Sequence, residues 1–259
     1  LPDAAARHWG FVADCLEDLR DALRGRGMPL AVRVGDAVAV LEKLCRLHGI
    51  TRIVSHEEVG NLWTFARDRR VAAWAKAAGI EWIEVPQSGV VRRLAGRDRW
   101  IAQRDAFATA PLAESGAMSP VPGVEPGVIP TARSLRLAED RCPHVQAGGR
   151  TRGLLVLDSF LQRRGEGYRA AMASPVSGER ACSRISAHLA WGSLSAREVA
   201  QMATARQAER PGGEWTGSLR SFQNRLAWRD HFMQKLEDEP RIERRAQHPL
   251  AETLGRGTD

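Results

Sequence analysis

An alternation of helical and strand-like segments in the first third of the chain constrains its fold more than any other feature. Apolar residues recur at every third or fourth position over 9–25, which predicts an amphipathic helix. Short apolar runs at 30–34, 52–55 and 81–85 predict strands, and two more helical patterns separate them, the second with Asn61 placed to cap it. This α-β-α-β-α-β order predicts a doubly wound parallel sheet, with ligands beyond the carboxyl ends of its strands.

The second half of the chain has a different pattern. Residues 107–150 are punctuated by proline and hold no period, which predicts a linker or a long surface crossing. From residue 151 the pattern is all-helical, with helices expected at 195–208 and at about 217–237. The predicted organisation is therefore an α/β domain at 1–106, the linker, and the first part of a helical domain at 151–259.

Composition limits the kinds of partner and compartment. The formal net charge of +7 favours an anionic partner, although a generally arginine-rich proteome explains the charge equally well. The four cysteines show no Cys-x-x-Cys spacing, which indicates reduced thiols in a cytoplasmic protein and neither a disulfide scaffold nor a metal site. No apolar run approaches the roughly 20 residues of a membrane span, and neither a Walker A motif nor a dinucleotide fingerprint is present.

The stretch from Cys182 to Ser195 carries the strongest sign of a binding site. Ser183 and Ser186 are three residues apart, so on a helix their hydroxyls would share one face. Together with the free N–H groups of a helix start, two such hydroxyls make a pocket for a phosphate. An ordinary helix cap is the alternative interpretation.

This stretch, in combination with other motifs, resembles the photolyase and cryptochrome family of blue-light flavoproteins. The C-terminal motifs are Cys182–Ser186, Trp191–Ser195 and the run from Phe222 to Phe232 with its Leu-x-Trp-Arg-Asp pattern. The N-terminal motifs are Val34–Asp36, Arg67–Val71 and Gly89–Leu94. The resemblance covers most of the chain and implies an α/β domain, a linker and a helical domain that binds FAD.

The resemblance also implies roles for individual residues. The FAD pyrophosphate would be cradled by Cys182, Ser183, Arg184, Ile185 and Ser186. Tyr168, the only tyrosine, would contact the flavin side of the pocket, and Arg229 would face the flavin and its phosphates. A packed surface aromatic is the alternative for Tyr168.

Two residues of the last predicted helix would meet the substrate. Trp228 would pack against a damaged base flipped into the pocket, with a core tryptophan as the alternative interpretation. Arg225 stands where repair enzymes of the family have a carboxylate that binds the pyrimidine dimer. This departure replaces a hydrogen-bond acceptor by a permanent cation and favours a light sensor over a repair enzyme.

The function implied by the resemblance is that of a deoxyribodipyrimidine photo-lyase. FAD would donate an electron on excitation and split a pyrimidine dimer in DNA, and a second antenna chromophore of unknown identity would lie on the α/β domain. We expect a cytoplasmic monomer that is not bound to a membrane.

The alternatives are a cryptochrome-like sensor without repair activity, or a truncated remnant that binds FAD weakly or not at all. The remnant is considered because the family's first strand and the helices that complete its flavin pocket are not in this chain. A nucleotide-binding α/β protein of the electron-transfer flavoprotein or universal-stress type is a more distant alternative, since it leaves the helical half unexplained.

Overall fold

The computed structural model describes residues 4–140, 142–248 and 250–251, which form an α/β part followed by an all-helical part. The α/β part contains α1 (Ala6–Arg24), α2 (Ala37–His48), β1 (Arg52–His56), α3 (Leu62–Ala77), β2 (Glu81–Val85) and α4 (Trp100–Thr109). The helical part contains α5 (Arg150–Ser159), a π-helical turn (Phe160–Arg164), α6 (Tyr168–Ala171), α7 (Pro175–Ala181), α8 (Ser186–Ala190), α9 (Ala196–Glu209), α10 (Gly213–Asp238) and a 3₁₀ turn (Pro240–Glu243). This order confirms the predicted fold class.

α2 and α3 begin where the sequence supplies a capping side chain. The Asp36 carboxylate accepts hydrogen bonds from the amides of Val38 and Ala39. The side-chain oxygen of Asn61 accepts a hydrogen bond from the amide of Thr64 at 3.0 Å. Both side chains satisfy N–H groups that have no partner within the first helical turn. The helix start predicted at Asn61 is confirmed.

β1 and β2 form the parallel sheet of the described residues. The strands pair in register, with Ile53 opposite Trp82, and α3 provides the crossover between them. Parallel strands need such a crossover connection. The strands predicted at 52–55 and 81–85 are therefore confirmed.

The strand predicted at 30–34 is wrong. This segment is outside every strand of the described chain, and its backbone contact is a single hydrogen bond from Val32 N to the Pro126 carbonyl at 2.7 Å. Its neighbour is thus a proline-rich segment, and Pro126 has no N–H group with which to continue a ladder. The apolar pattern indicates a preference for an extended backbone, but it does not determine whether a partner strand lies beside the segment.

The described residues of the segment 110–149 contain no helix, and the segment crosses the surface along α1. The amide of Ala6 donates to the Ala138 carbonyl at 2.9 Å, and the indole of Trp9 donates to the Pro130 carbonyl at 2.7 Å. These contacts agree with the surface crossing that the prolines predict.

The predicted division into 1–106, 107–150 and 151–259 stays a prediction. α4 ends at Thr109 and so extends past the first proposed boundary. The outermost limits at 1–3 and 252–259 lie outside the described residues.

The principal apolar core lies in the helical part. Its side chains come from the π-helical turn and from the faces of α5, α8, α9 and α10 that point toward one another. The fully buried members with the largest side chains are Phe160, Leu157, Ile185, Leu194, Leu219 and Val199. This core holds α8 and the segment before it against α10.

α10 also joins the helical part to the α/β part. The fully buried amide of Gln234 accepts from Val91 N at 2.7 Å and donates to the Val91 carbonyl at 3.0 Å. It therefore pairs with the backbone as a neighbouring strand would. The indole of Trp100 donates to the Gly89 carbonyl at 3.0 Å beside it.

No helix in the described part of the chain has the length and apolar character needed to cross a membrane. Among the same residues, no group of three or more His, Cys, Asp and Glu side chains is placed to hold a metal ion.

Candidate functional site

The segment before α8 is not helical, so the predicted arrangement of its two serines is wrong. Cys182 is extended, with φ −71° and ψ 154°, and Arg184 has a left-handed φ of +61°. α8 begins only at Ser186 and has five residues. Ser183 and Ser186 therefore do not lie one turn apart on a helix, because the chain turns at Arg184 between them.

The turn leaves a run of unused backbone donors. In the described part of the chain, the amides of Ser183, Arg184 and Ile185 have no hydrogen-bond acceptor, and no side chain caps α8. Ile185 has φ −100° and ψ 4°, so a left-handed residue is followed by a right-handed one. Such an alternation directs successive N–H groups toward a common point and forms an anion-binding concavity. We call residues 183–185 the amide nest.

The carbonyl groups of the same segment are occupied. Arg164 donates to the carbonyls of Cys182 and Ser183, the second at 3.3 Å, and Gln146 donates to the Arg184 carbonyl at 2.7 Å. The predicted site did not include Arg164 or Gln146. Sequence offers no signal for them, since they lie 18 and 38 residues from the carbonyls that they bind.

Tyr168 lies in the core below this segment. Its ring contacts Phe160 and Phe222 edge-on, with ring centroids 5.5 and 6.2 Å apart. Burial raises the pKa of its hydroxyl, the nearby Cys182 raises it further, and the Arg225 guanidinium opposes this shift. The structure therefore brings together three of the predicted site residues, Tyr168, Cys182 and Arg225. The alternative of a surface aromatic for Tyr168 is wrong, since only 7% of this residue is exposed.

Arg229 contacts the other end of α8. Its guanidinium donates to the Leu189 carbonyl at 3.2 Å and lies 3.5 Å from Asp230 Oδ1. Burial raises the pKa of Asp230, while Arg229, Arg104 and a hydrogen bond from the Gly89 amide oppose that shift. The described contacts of Arg229 are thus with α8 and with Asp230, not with Ser183 or Ser186.

Arg225 and Trp228 form an exposed pair on α10. The Arg225 guanidinium lies 4.7 Å from the centroid of the Trp228 ring, in cation–π geometry. Trp228 is 54% exposed, so the alternative of a core tryptophan is wrong. Its ring lines a groove of about 420 Å³ between α4 and α10, together with Trp100, His231 and Phe232. The groove presents an aromatic surface to solvent.

Comparisons with known proteins agree with the predicted resemblance. Residues 2–94 match the family described as DNA photolyase. The chain is 27% identical to a deoxyribodipyrimidine photo-lyase of Halobacterium salinarum, over 91% of this chain and 51% of the relative. It is 28% identical to a deoxyribodipyrimidine photo-lyase of Streptomyces griseus, over 89% and 50%, and 26% identical to a cryptochrome DASH of Gloeobacter violaceus, over 86% and 47%. The chain spans about half the length of these relatives.

Solved structures show the same fold. A class III photolyase from Agrobacterium tumefaciens matches with a TM-score of 0.74 and 19% identity, over 93% of this chain and 52% of that structure. A Synechocystis cryptochrome matches with a TM-score of 0.73 and 19% identity, over 90% and 51%. A Sulfolobus tokodaii photolyase, described with two FAD molecules, matches with a TM-score of 0.62 and 21% identity, over 93% and 51%. The resemblance predicted from the sequence motifs is confirmed.

Proposed function

We propose that this chain, which is related to the photolyases and cryptochromes in both its α/β and its helical part, is a photolyase-like flavoprotein. Its activity would be the repair of pyrimidine dimers in DNA, driven by blue light through electron transfer from FAD. The observation that carries the proposal is the amide nest, which lies in the segment that the family resemblance assigns to the FAD pyrophosphate. The photo-lyases among the relatives support the choice of reaction.

The residues of the nest fit a pyrophosphate. Three consecutive N–H groups are free there, Ser183 and Ser186 each add a hydroxyl to the segment, and the sequence from Cys182 to Ser186 contains no carboxylate. Backbone amides and hydroxyls are hydrogen-bond donors that phosphate oxygens accept. Arg184, which is exposed, adds positive charge beside them. We therefore assign Cys182–Ser186 to the cofactor phosphates.

The remaining cofactor contacts are proposed for Tyr168 and Arg229. When bound, FAD supplies the light absorption and the single-electron chemistry. The phenol of Tyr168, whose pKa burial raises above the ordinary 10.0, carries its proton at neutral pH and would act as a hydrogen-bond donor. Arg229 fixes the end of α8 through the Leu189 carbonyl and contributes a cation on the same side of α10 as Arg225.

Arg225 and Trp228 are the proposed contacts for damaged DNA. An exposed indole provides a flat apolar face on which a flipped pyrimidine can stack. The neighbouring guanidinium can bind a phosphate, whereas it cannot accept a hydrogen bond from a base as a carboxylate does. The net charge of +7 agrees with a nucleic-acid partner. A second antenna chromophore on the α/β part, a monomeric state and a cytoplasmic location are further parts of the proposal.

A light sensor without repair activity is the second candidate. Arg225, in place of the carboxylate expected from the family, is the observation that favours it. The cryptochrome DASH among the relatives is consistent with either function.

Two measurements on the purified chain test these proposals. Flavin absorbance bands in the blue, with FAD released on denaturation, are expected for both candidates. Loss of dimers from irradiated DNA in light but not in the dark is expected for the repair enzyme, and retention of the dimers in light identifies the sensor. A chain that stays colourless after incubation with FAD contradicts both and supports the remnant interpretation.

A further inference from the structure

We propose that Arg164 and Gln146 form a carbonyl clamp, a pair of positioning residues that orient the amide nest toward the cofactor phosphates. The inference deepens the proposed function and rests on it for the identity of the ligand. The clamp itself rests on the hydrogen bonds of three consecutive peptide groups.

Each clamped carbonyl belongs to the same peptide group as one of the free amides. The Cys182 carbonyl pairs with the Ser183 amide, the Ser183 carbonyl with the Arg184 amide, and the Arg184 carbonyl with the Ile185 amide. In a planar trans peptide the C=O and N–H bonds point in opposite directions. Since Arg164 holds the first two carbonyls and Gln146 the third, all three N–H groups face away from the clamp.

The side chain of Arg164 is itself held in place by hydrogen bonds to α5. Its Nε donates to Ser159 Oγ at 2.9 Å, and its Nη2 donates to the Val156 carbonyl at 2.9 Å. The planar guanidinium fork therefore bridges the end of α5 and the segment before α8. A lysine has no such fork and could not serve both sides at once.

The π-helical turn delivers Arg164 to this position. The amide of Gly165 donates to the Phe160 carbonyl at 2.8 Å, a bond that spans five residues. A Cβ atom on Gly165 would lie 2.7 Å from that carbonyl oxygen and 2.9 Å from Cε2 of the Phe160 ring, so only glycine fits. π-helical turns inside α-helices are frequent at functional sites. Here the turn places a cation against the carbonyls of the next segment.

The clamp also carries charge that is not neutralised. Arg164 has no carboxylate partner among the described residues. Its pKa is lowered by burial, and the nearby cations Arg184 and Arg163 lower it further. A bound anion at the nest would relieve this repulsion. The guanidinium also polarises the peptide groups that it binds, which strengthens their N–H groups as donors.

The test uses the full chain and compares Arg164→Gln with Arg163→Gln. Arg163 is adjacent and exposed, and no hydrogen bond or ion pair of its side chain occurs in the described chain, so the second variant removes the same charge without touching the clamp. Backbone order parameters from ¹⁵N relaxation report on the nest without any cofactor. We expect values of about 0.85 for the amides of residues 183–185 in the unmodified chain and in Arg163→Gln, and values below about 0.6 in Arg164→Gln. Unchanged values in Arg164→Gln would overturn the clamp.

Titration with inorganic pyrophosphate and with FAD, followed at the same amides, tests the ligand. We expect Arg164→Gln to lower the affinity for each of the two ligands by about tenfold or more, and Arg163→Gln to change these affinities by less than about twofold. One outcome is that the nest loses order in Arg164→Gln, while neither pyrophosphate nor FAD shifts the amide signals of the unmodified chain. That outcome supports the clamp and contradicts the proposed function. The opposite outcome is that FAD binds equally well to both arginine variants and the nest stays ordered in both. That outcome contradicts the clamp and supports the proposed function.

A second variant covers the case in which Arg164→Gln does not fold. Gln146→Met removes only the donor to the Arg184 carbonyl, and Gln146 lies on the exposed surface segment before α5. We expect loss of order confined to the Ile185 amide, with pyrophosphate binding weakened by about threefold. An Ile185 amide as rigid as in the unmodified chain would contradict the clamp in this variant too.

Discussion

The amide nest at 183–185 and the exposed face of α10 at 225–228 present opposite kinds of binding surface. In the nest, backbone N–H groups are free and side chains behind them hold the carbonyls. On α10, the backbone is paired within the helix, and the side chains of Arg225 and Trp228 extend to solvent. One surface offers free main-chain N–H groups, and the other offers an aromatic ring and a cation.

This difference determines which substitutions each surface tolerates. A main-chain site depends on φ, ψ and the presence of each N–H group, so it tolerates many side chains but not a change of backbone. A side-chain site on a helix is insensitive to backbone detail and loses its binding when one side chain is removed. Substitutions at Arg184, Trp228 and Ser183 therefore separate the two kinds of surface.

Arg184→Pro should have the largest effect. Proline fixes φ near −65°, whereas Arg184 has φ +61°, and proline also removes one of the three N–H groups. We expect affinity for FAD to fall by about a hundredfold or more. Arg184→Gly is the matched control: it removes the same side chain but accepts the positive φ, and it should lose less than about fivefold. FAD fluorescence titration measures both, and equal losses in the two variants would show that the side chain, not the backbone, binds the phosphates.

Trp228→Ala tests the opposite surface. Stacking of a base on an aromatic side chain contributes about 1–3 kcal/mol, so affinity for dimer-containing DNA should fall by about tenfold. FAD affinity should stay unchanged, and thermal stability should change little because more than half of the residue is exposed. Parallel titrations with DNA and with FAD provide the measurement. A change in FAD affinity as large as the change in DNA affinity would remove the distinction between the two surfaces.

His188 lies in α8 between the amide nest and Leu189, whose carbonyl accepts a hydrogen bond from Arg229 of α10. It is fully buried, its Nδ1 lies 2.8 Å from Ser193 Oγ, and burial lowers its pKa below the ordinary 6.5. The unfolded chain then binds the proton more readily than the folded chain, so the free energy of unfolding should decrease as pH falls below 6.5. Denaturant unfolding at pH 7 and pH 5 should show a smaller decrease in His188→Gln than in the unmodified chain. An equal decrease in both would assign the acid sensitivity to other groups.

Ser183→Ala should have the smallest effect. The hydroxyl supplements three backbone donors, so its removal should lower the affinity for FAD by only about threefold to tenfold. This is the contribution of one ordinary hydrogen bond. Ser186→Ala serves as the comparison on the other side of the nest. Competition with pyrophosphate measures the same loss independently of the flavin ring. A loss as large as that expected for Arg184→Pro would show that the hydroxyls carry the site.

The sequence predicted the elements that local rules control. The cap at Asn61 and the strands β1 and β2 depend on short-range patterns that the structure reproduces. It failed at 30–34, where a strand needs a partner and the chain supplies the proline-rich segment at Pro126. Apolar alternation reports the preference of a segment, and only the fold decides what pairs with it.

The candidate site divides in the same way. The motifs named the segment at 182–186 as the proposed cofactor site and Arg225 and Trp228 as proposed substrate contacts, because residue types and their order can be read from the sequence. The conformation of that segment could not be predicted from the sequence, since it depends on the left-handed turn at Arg184 and on hydrogen bonds from Arg164 and Gln146. Sequence alone therefore named the residues of the proposed cofactor segment, but not Arg164 and Gln146, whose hydrogen bonds hold its carbonyls. The tertiary structure decided that the segment is a turn with free amides and not a helix face, because only packing brings Arg164 of the π-helical turn and Gln146 against the carbonyls of those three peptide groups.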